Sequence, residues 1–312
     1  MRYVALIVLI AGVAITPALS QKESRVALVG RWDLTVNTGK ETYPSWLEYR
    51  ESSNGPTVRV VGKAASVHPG QDVKVEGATL TFTTSEWFDK PTRVTWEVTA
   101  SGARLTGTQK RADGTVGRIV GTPQPSLKHA APVHWTDPAP LFNGKDLAGW
   151  VPDDPANNHW KAIAGELVNE KAGANLRSTR SLRDFKLHIE YNCPDGANSG
   201  VYLRGRYEVQ VAYPKPGASD RLHDMGALYG FIAPSADLPR KPGTWETYDV
   251  TLIGRMVTVV RDGVTTIENQ EIPGITGGAL DSREGDPGFI YLQGDETGGN
   301  KYRKITISVP EQ

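Results

Sequence analysis

The chain holds one cysteine, Cys193, so no intrachain disulfide can form and packing must carry the fold. No Cys-His pattern accompanies it, and a buried packing thiol is its expected role rather than a nucleophile. Excess charge is missing as well. Lys plus Arg number 35 and Asp plus Glu number 35, a net charge of zero that gives no long-range field toward nucleic acid or an anionic membrane. Uncharged substrates suit that balance better. No long segment has apolar residues at helical spacing, which argues against a helical core. Beyond the N-terminus no apolar run approaches the ~20 residues a bilayer span requires, so no span is expected in the mature chain. No organic cofactor is expected either.

Turn residues are abundant instead. Gly 33 and Pro 21 punctuate short apolar alternations, the pattern of an all-β protein, and 312 residues suffice for about two domains. Arg2, the apolar run from Tyr3 to Ile15 and the small residues of Pro17-Ala18-Leu19-Ser20 read as an export signal over residues 1–20, predicting a periplasmic or extracellular protein. Residues 24–122 alternate in eight short segments from Leu28 to Gly121, separated by turns such as Asn54-Gly55, Glu76-Gly77, Ser101-Gly102 and Asp113-Gly114. A small antiparallel barrel or meander is expected, and Gly30-Arg31-Trp32 resembles the opening of lipocalin-like barrels. Five prolines between Thr122 and Pro140 mark residues 123–138 as a semi-rigid linker that spaces the two domains without fixing their orientation. Residues 139–310 return to strands, as expected of two packed antiparallel sheets in a jelly-roll sandwich.

The richest stretch is Asn198 to Val211. Read as one period-two strand, it puts Val201, Leu203, Tyr207, Val209 and Val211 on a core face. Tyr202, Arg204, Arg206, Glu208 and Gln210 share the other, a mixture suited to the floor of a polar cleft. Phe185 to Asn192 alternates likewise, and the short loop Pro194-Asp195-Gly196-Ala197 predicts that the two strands pair, bringing Glu190 to Arg204 and Glu208. The irregular stretch from Tyr213 to Lys241, with His223, Asp224 and Tyr229, reads as a functional rim loop.

Several motifs are then recognisable in order: Leu141-Phe142-Asn143-Gly144-Lys145-Asp146-Leu147-x-Gly149-Trp150, Ala197-Asn198-Ser199-Gly200-Val201-x-Leu203-Arg204, Tyr207-Glu208-Val209-Gln210, Gly226-Ala227-Leu228-Tyr229 and Leu292-Gln293. Together they resemble the 3-keto-glycoside lyase/hydratase family, also described as 3-keto-disaccharide hydrolases and once a domain of unknown function 1080. The resemblance spans about 139 to 309 and implies a concanavalin-like jelly-roll fold. It implies proton abstraction at carbon 2 of a sugar whose third hydroxyl has been oxidised, loss of the aglycone, and hydration of the resulting 2-hydroxy-glucal. A separate sugar 3-oxidoreductase, linked only by a diffusible intermediate, would supply the substrate.

Carried onto this chain, the resemblance assigns Glu208 and Glu190 as base or as metal ligands, with Gln210 a third oxygen ligand. Such a set would suit Ca²⁺, Mg²⁺ or Mn²⁺. Arg204 would stabilise the enolate and His223 would shuttle the proton. Asn198, Tyr202, Gln210, Tyr229, Trp245, Gln293 and Arg303 complete the substrate-binding set. Two departures from the family pattern, Thr244-Trp245-Glu246 and Tyr302-Arg303-Lys304-Ile305, bear on substrate preference. Two other readings stay open at this level: a non-catalytic glycan-binding or scaffold protein, and simple ion pairing of Glu190 and Glu208 with Arg204 and Arg206.

Overall fold

The computed structural model describes residues 27–63, 66–87, 90–132, 134–213 and 220–311. The export segment read at 1–20 lies outside the described residues. Among them no helix is long and apolar enough to cross a membrane.

Nine strands build the first unit: β1 (Gly30–Asn37), β2 (Thr42–Arg50), β3 (Thr57–Val61), β4 (Val67–Pro69), β5 (Gln71–Glu76), β6 (Thr79–Trp87), β7 (Pro91–Ser101), β8 (Arg104–Arg111) and β9 (Val116–Pro123). Their order in one antiparallel sheet is β4-β3-β2-β1-β9-β8-β7-β6-β5. The two edge strands are consecutive in the chain, joined through Gly70, whose N–H donates to Val58 O at 2.9 Å, so the sheet curls into a nearly closed barrel. Strict alternation on β7 sends Val94, Trp96, Val98 and Ala100 inward, and Trp96 stacks on Phe82 with ring centroids 5.7 Å apart. Trp32 is buried in the barrel core, its indole N–H donating to Leu28 O at 3.0 Å.

The second unit contains β10 (Ala139–Pro140), β11 (Trp150–Pro152), β12 (Trp160–Ile163), β13 (Glu166–Asn169), β14 (Leu176–Ser178), β15 (Phe185–Asn192), β16 (Asn198–Leu203) and β17 (Tyr207–Ala212). It continues with β18 (Trp245–Ile253), β19 (Met256–Arg261), β20 (Val264–Glu271), β21 (Tyr291–Leu292) and β22 (Lys301–Ser308). One sheet runs β12-β13-β22-β15-β18-β19-β20, with β10 paired to β22, and faces a second sheet ordered β11-β14-β21-β16-β17. Leu187, Ile189 and Tyr191 of the first meet Val201, Leu203, Tyr207, Val209 and Val211 of the second in one core, the sandwich expected from the pattern. Cys193 is buried in that core, and burial pushes its thiol up to about 12. The packing role is what its surroundings require.

Three expectations are overturned. Asn198 to Val211 is a hairpin: Arg204 and Gly205 take φ of 54° and 69°, and Tyr202 pairs with Glu208 across β16 and β17. Face parity survives the turn because Gly200 opposes Gln210 and Leu203 opposes Tyr207. Nor does β15 pair with β16. It lies between β18 and β22, because the loop after it crosses from one sheet to the other. Both apolar rows point into the shared core, so the polar rows of Glu190 and Glu208 occupy opposite outer faces of the sandwich.

The third concerns the proline-rich segment, which packs instead of merely spacing. Leu127 is buried, Arg255 Nη2 donates to Pro125 O at 2.7 Å, and His129 Nδ1 sits 2.7 Å from Asp184 Oδ2. The barrel itself enters the second core. Trp46 and Val61 belong to the sandwich cluster, and the Trp46 ring meets Phe231 edge-on at 5.3 Å. Burying one such side chain contributes about 1.5–3 kcal/mol toward holding the units together.

Candidate active site

The β16–β17 hairpin presents Tyr202 and Glu208 side by side on its outer face, 2% and 4% exposed. Gly200 lies across from Gln210, and a Cβ on it would overlap the Glu208 carboxylate, so only glycine lets that side chain lie flat along the hairpin. The Tyr202 hydroxyl sits 2.9 Å from Glu208 Oε2 and 3.0 Å from Gly277 O. Among the described residues no cation pairs with Glu208. Burial pushes its carboxyl up to about 8, with Asp295 and Glu296 adding to the rise and the Tyr202 hydrogen bond opposing it.

Above this floor opens a cavity of about 420 Å³, lined also by Asn198, Tyr229, Gly277, Gly278, Gln293, Asp295, Glu296 and Lys63. The Asn198 Oδ1 and Gln293 Oε1 atoms are buried without a hydrogen-bond partner. Unfilled acceptors at a polar cavity are what a hydroxyl-bearing ligand satisfies. Thr297 Oγ1 holds the backbone of Asn198 from both sides, receiving its N–H at 2.7 Å and donating to its carbonyl at 3.0 Å, which fastens the loop bearing Asp295 and Glu296. Partial desolvation at the cavity mouth, reinforced by Asp295, raises the Glu296 carboxyl above its ordinary value. Tyr229 is held by its own N–H on Glu208 O at 3.1 Å, and burial takes its phenol to about 12.

The structure thus brings together Asn198, Tyr202, Glu208, Tyr229 and Gln293 from the set read in the sequence. It removes others. Glu190 pairs with Arg303 (2.5 Å) and Lys304 (2.7 Å) on the far face of the sandwich, and those partners hold its carboxylate below its ordinary value even against desolvation. Arg303 covers the Trp245 ring at 3.9 Å, so Glu190, Arg303 and Trp245 form one surface cluster. Arg204 sits in the hairpin turn, its Nη2 donating to Tyr207 Oη at 3.0 Å and Gly254 O at 2.9 Å, and it does not line the cavity. Arg206 is occupied by Asp281 at 2.8 Å and Asp286 O at 2.9 Å. Gln210 is buried beneath the 226–229 segment, taking the Gly226 N–H on its carbonyl at 2.9 Å and giving its own N–H to Ala227 O at 3.0 Å. His223 stands behind Tyr229, edge-on at 4.5 Å, and does not line the cavity.

Two outcomes follow for the alternatives. Glu190 and Glu208 do not neutralise Arg204 and Arg206, since each of the four has other partners. The ligand set of Glu190, Glu208 and Gln210 is divided between two faces and does not fit one metal ion. Among the described residues no group of three or more His, Cys, Asp or Glu is placed to hold one. The sequence reading missed Asp295 and Glu296, which follow the Leu292-Gln293 motif after one glycine and were legible there. It missed Lys63, for which no local signal exists.

A larger cleft of about 620 Å³ lies between the units, and its one buried carboxylate is already paired: Glu48 takes Arg31 at 2.9 Å and Arg50 at 2.6 Å from the lining and Arg59 at 2.5 Å from outside it.

A β-sandwich whose outer face carries a buried carboxylate beneath a polar cavity with unfilled acceptors has the form of a ligand-binding or catalytic site. Residues 137–308 match the family model of the 3-keto-alpha-glucoside-1,2-lyase-like domain, over half of the chain, and the protein belongs to that family. Among solved structures, a candidate glycosyl hydrolase from Parabacteroides distasonis is 26% identical at a TM-score of 0.48, covering 58% of this chain and 93% of that one. A second from the same organism is 22% identical at a TM-score of 0.42, covering 56% and 98%. The comparison with curated proteins gives no match.

Proposed function

We propose that this protein is an exported enzyme that cleaves 3-keto-glycosides by removing the proton at carbon 2 and expelling the aglycone from carbon 1. The observation that carries the reading is Glu208: a buried carboxylate that no cation among the described residues pairs with, at the floor of an open cavity, its carboxyl pushed up to about 8. A base matched to neutral pH combines a useful ionised fraction with strong proton affinity.

Glu208 takes the carbon 2 proton, and the bonding pair passes into an enolate whose charge rests on the carbon 3 oxygen. Side-chain N–H groups of Asn198 and Gln293 are the donors at hand for that oxygen, while their carbonyls accept from the remaining hydroxyls. Collapse of the enolate forms the carbon 1–carbon 2 double bond and releases the aglycone oxygen. Glu208, which now holds the carbon 2 proton, passes it to that departing oxygen, so the step ends with the base restored. Water added across the double bond, hydroxyl to carbon 1 and proton to carbon 2, gives net hydrolysis. The Tyr202 hydroxyl alternates between two acceptors, Glu208 when ionised and Gly277 O when Glu208 holds the proton. No step is routed through a divalent cation, and the oxidation at carbon 3 is assigned to a separate oxidoreductase acting earlier.

The test incubates the mature protein with a 3-keto-glucoside and with its unoxidised parent, with and without a chelator, beside Glu208→Gln. Aglycone release from the keto compound alone, abolished in the variant, supports elimination. Release from neither compound, with saturable sugar binding, overturns it in favour of a lectin.

A further inference from the structure

The family match begins at residue 137, so it leaves the barrel without a role, yet the barrel reaches the cavity through Lys63. Lys63, two residues past the end of β3, lines the cavity and is the one cationic side chain that does so among the described residues. Tyr202 and Glu208 are buried at the floor, whereas Lys63, Asp295 and Glu296 are exposed at the mouth. Lys63 pairs with Glu41, a partner on its own barrel that leaves the ammonium partly exposed.

Three contacts hold the barrel against the walls of the site. Ser66 Oγ lies 2.9 Å from His223 Nε2, whose Nδ1 is 2.6 Å from Asp220 Oδ2, and the same ring abuts Tyr229. Gly230 packs so closely on Ser66 that a Cβ would press on its hydroxyl and on the Val67 N–H. Trp46 meets Phe231 on one side and leaves room only for glycine at Gly274 on the other. Gly230 and Phe231 continue directly from Tyr229, and Gly274 lies three residues before Gly277, so both walls rest on the barrel.

We propose that the barrel is a substrate-binding wall of the enzyme, in which Lys63 contacts the part of the substrate that extends from the reacting ring to the mouth. This rests on the reading of the cavity given above. An ammonium carries three N–H donors and no acceptor, so beside two carboxylates it supplies the donor that a hydroxyl-rich extension needs for its oxygens. Its contact is made before and during reaction alike, so it governs KM, not kcat. Only substrates long enough to reach the mouth feel it.

The experiment compares the wild type, Lys63→Met, Lys63→Arg and Ser66→Ala on a 3-keto-disaccharide and a 3-keto methyl glycoside, with unoxidised disaccharide titrated calorimetrically in parallel. For Lys63→Met the expected result is a KM about tenfold higher for the disaccharide, the loss of one charge-assisted hydrogen bond, with the methyl glycoside spared and Lys63→Arg restoring most of the loss. Ser66→Ala, which loosens the corner, lowers disaccharide affinity in the same direction. An equal loss on both substrates, a loss confined to kcat, or no change overturns the proposal. If the wild type turns over neither keto compound, the elimination reading falls by itself. The titration then decides the wall: weaker disaccharide binding by Lys63→Met upholds it, and equal or absent binding overturns it.

Discussion

The Tyr202 hydroxyl sits 2.9 Å from Glu208 Oε2, and among the described residues this neutral donor is the only side chain hydrogen-bonded to that buried carboxylate. Desolvation therefore outweighs every stabilising contact, and the carboxyl titrates near 8 instead of its ordinary 4.5. As a base it must be ionised, so kcat/KM should rise about tenfold per pH unit below 8 and level off above it. Glu208→Gln should lower the rate by about 10³-fold. Stability should move oppositely. A raised carboxyl favours the folded state below its unfolded value of 4.5 and loses that contribution as pH climbs to about 8. The variant, with no charge to bury, should be more stable than the wild type by about 2–4 kcal/mol at pH 9 and nearly equal to it at pH 4 in urea unfolding. Equal stabilities at both pH values would count against the assignment.

Tyr202→Phe isolates the hydrogen bond from the carboxylate. The hydroxyl favours the ionised form of Glu208, so its removal should move the inflection of the rate profile to higher pH and cost about tenfold in kcat/KM at pH 7. Activity at pH 9.5 should recover toward the wild-type value. A flat loss across the whole pH range would mean that Tyr202 positions substrate instead.

Much of this was legible in the chain and some was not, for reasons particular residues make plain. Alternation located nearly every long strand, because inward Val94, Trp96 and Val98 or Leu187, Ile189 and Tyr191 must repeat at period two. Alternation names a face but not a neighbour. Glu190 and Glu208 both lay on polar rows, and only the sheet order reveals that the rows point away from each other. Gly205 was the available sign that Arg204 belonged to a turn, but the apolar parity continues unbroken across a three-residue loop and concealed it. Asp295 and Glu296 required only extending a motif by three residues. Lys63 lies more than 130 residues from every other lining side chain, and no local pattern encodes a contact made by docking one unit on another.

The far-face cluster yields a prediction of silence. Glu190→Gln, Arg303→Met and Trp245→Ala should each leave kcat and KM within about twofold of the wild type. Glu190→Gln should cost under about 1 kcal/mol, since its partners are partly solvated and exposed ion pairs contribute little. Steady-state rates and a melting curve check both. A 100-fold loss of kcat from any of the three would return that residue to the catalytic set and require a different cavity.

Across the seam between the units, Asp33 of β1 faces Glu284, which is held by Arg255 at 3.0 Å and by Gln124 Nε2 at 2.6 Å. Burial first, then the charge of Glu284 and a hydrogen bond to it, push the Asp33 carboxyl up to about 9, against a weaker pull from Arg255 and Arg206. The Asp33–Glu284 pair thus holds one proton between its two carboxyl groups at neutral pH, joining barrel to sandwich through an acid–carboxylate pair. The sign follows from linkage: the folded state holds a proton that the unfolded chain releases above about 3.8, so this contribution falls as pH rises and is gone above about 9. Asp33→Asn retains a donor toward Glu284 but cannot ionise. Unfolding measured at pH 6 and pH 9.5 should show the wild type losing more stability than the variant over that interval, and limited proteolysis between residues 123 and 138 should quicken at high pH in the wild type alone. Identical pH slopes for the two proteins would mean that Asp33 is ionised throughout and that the seam is held by its apolar contacts.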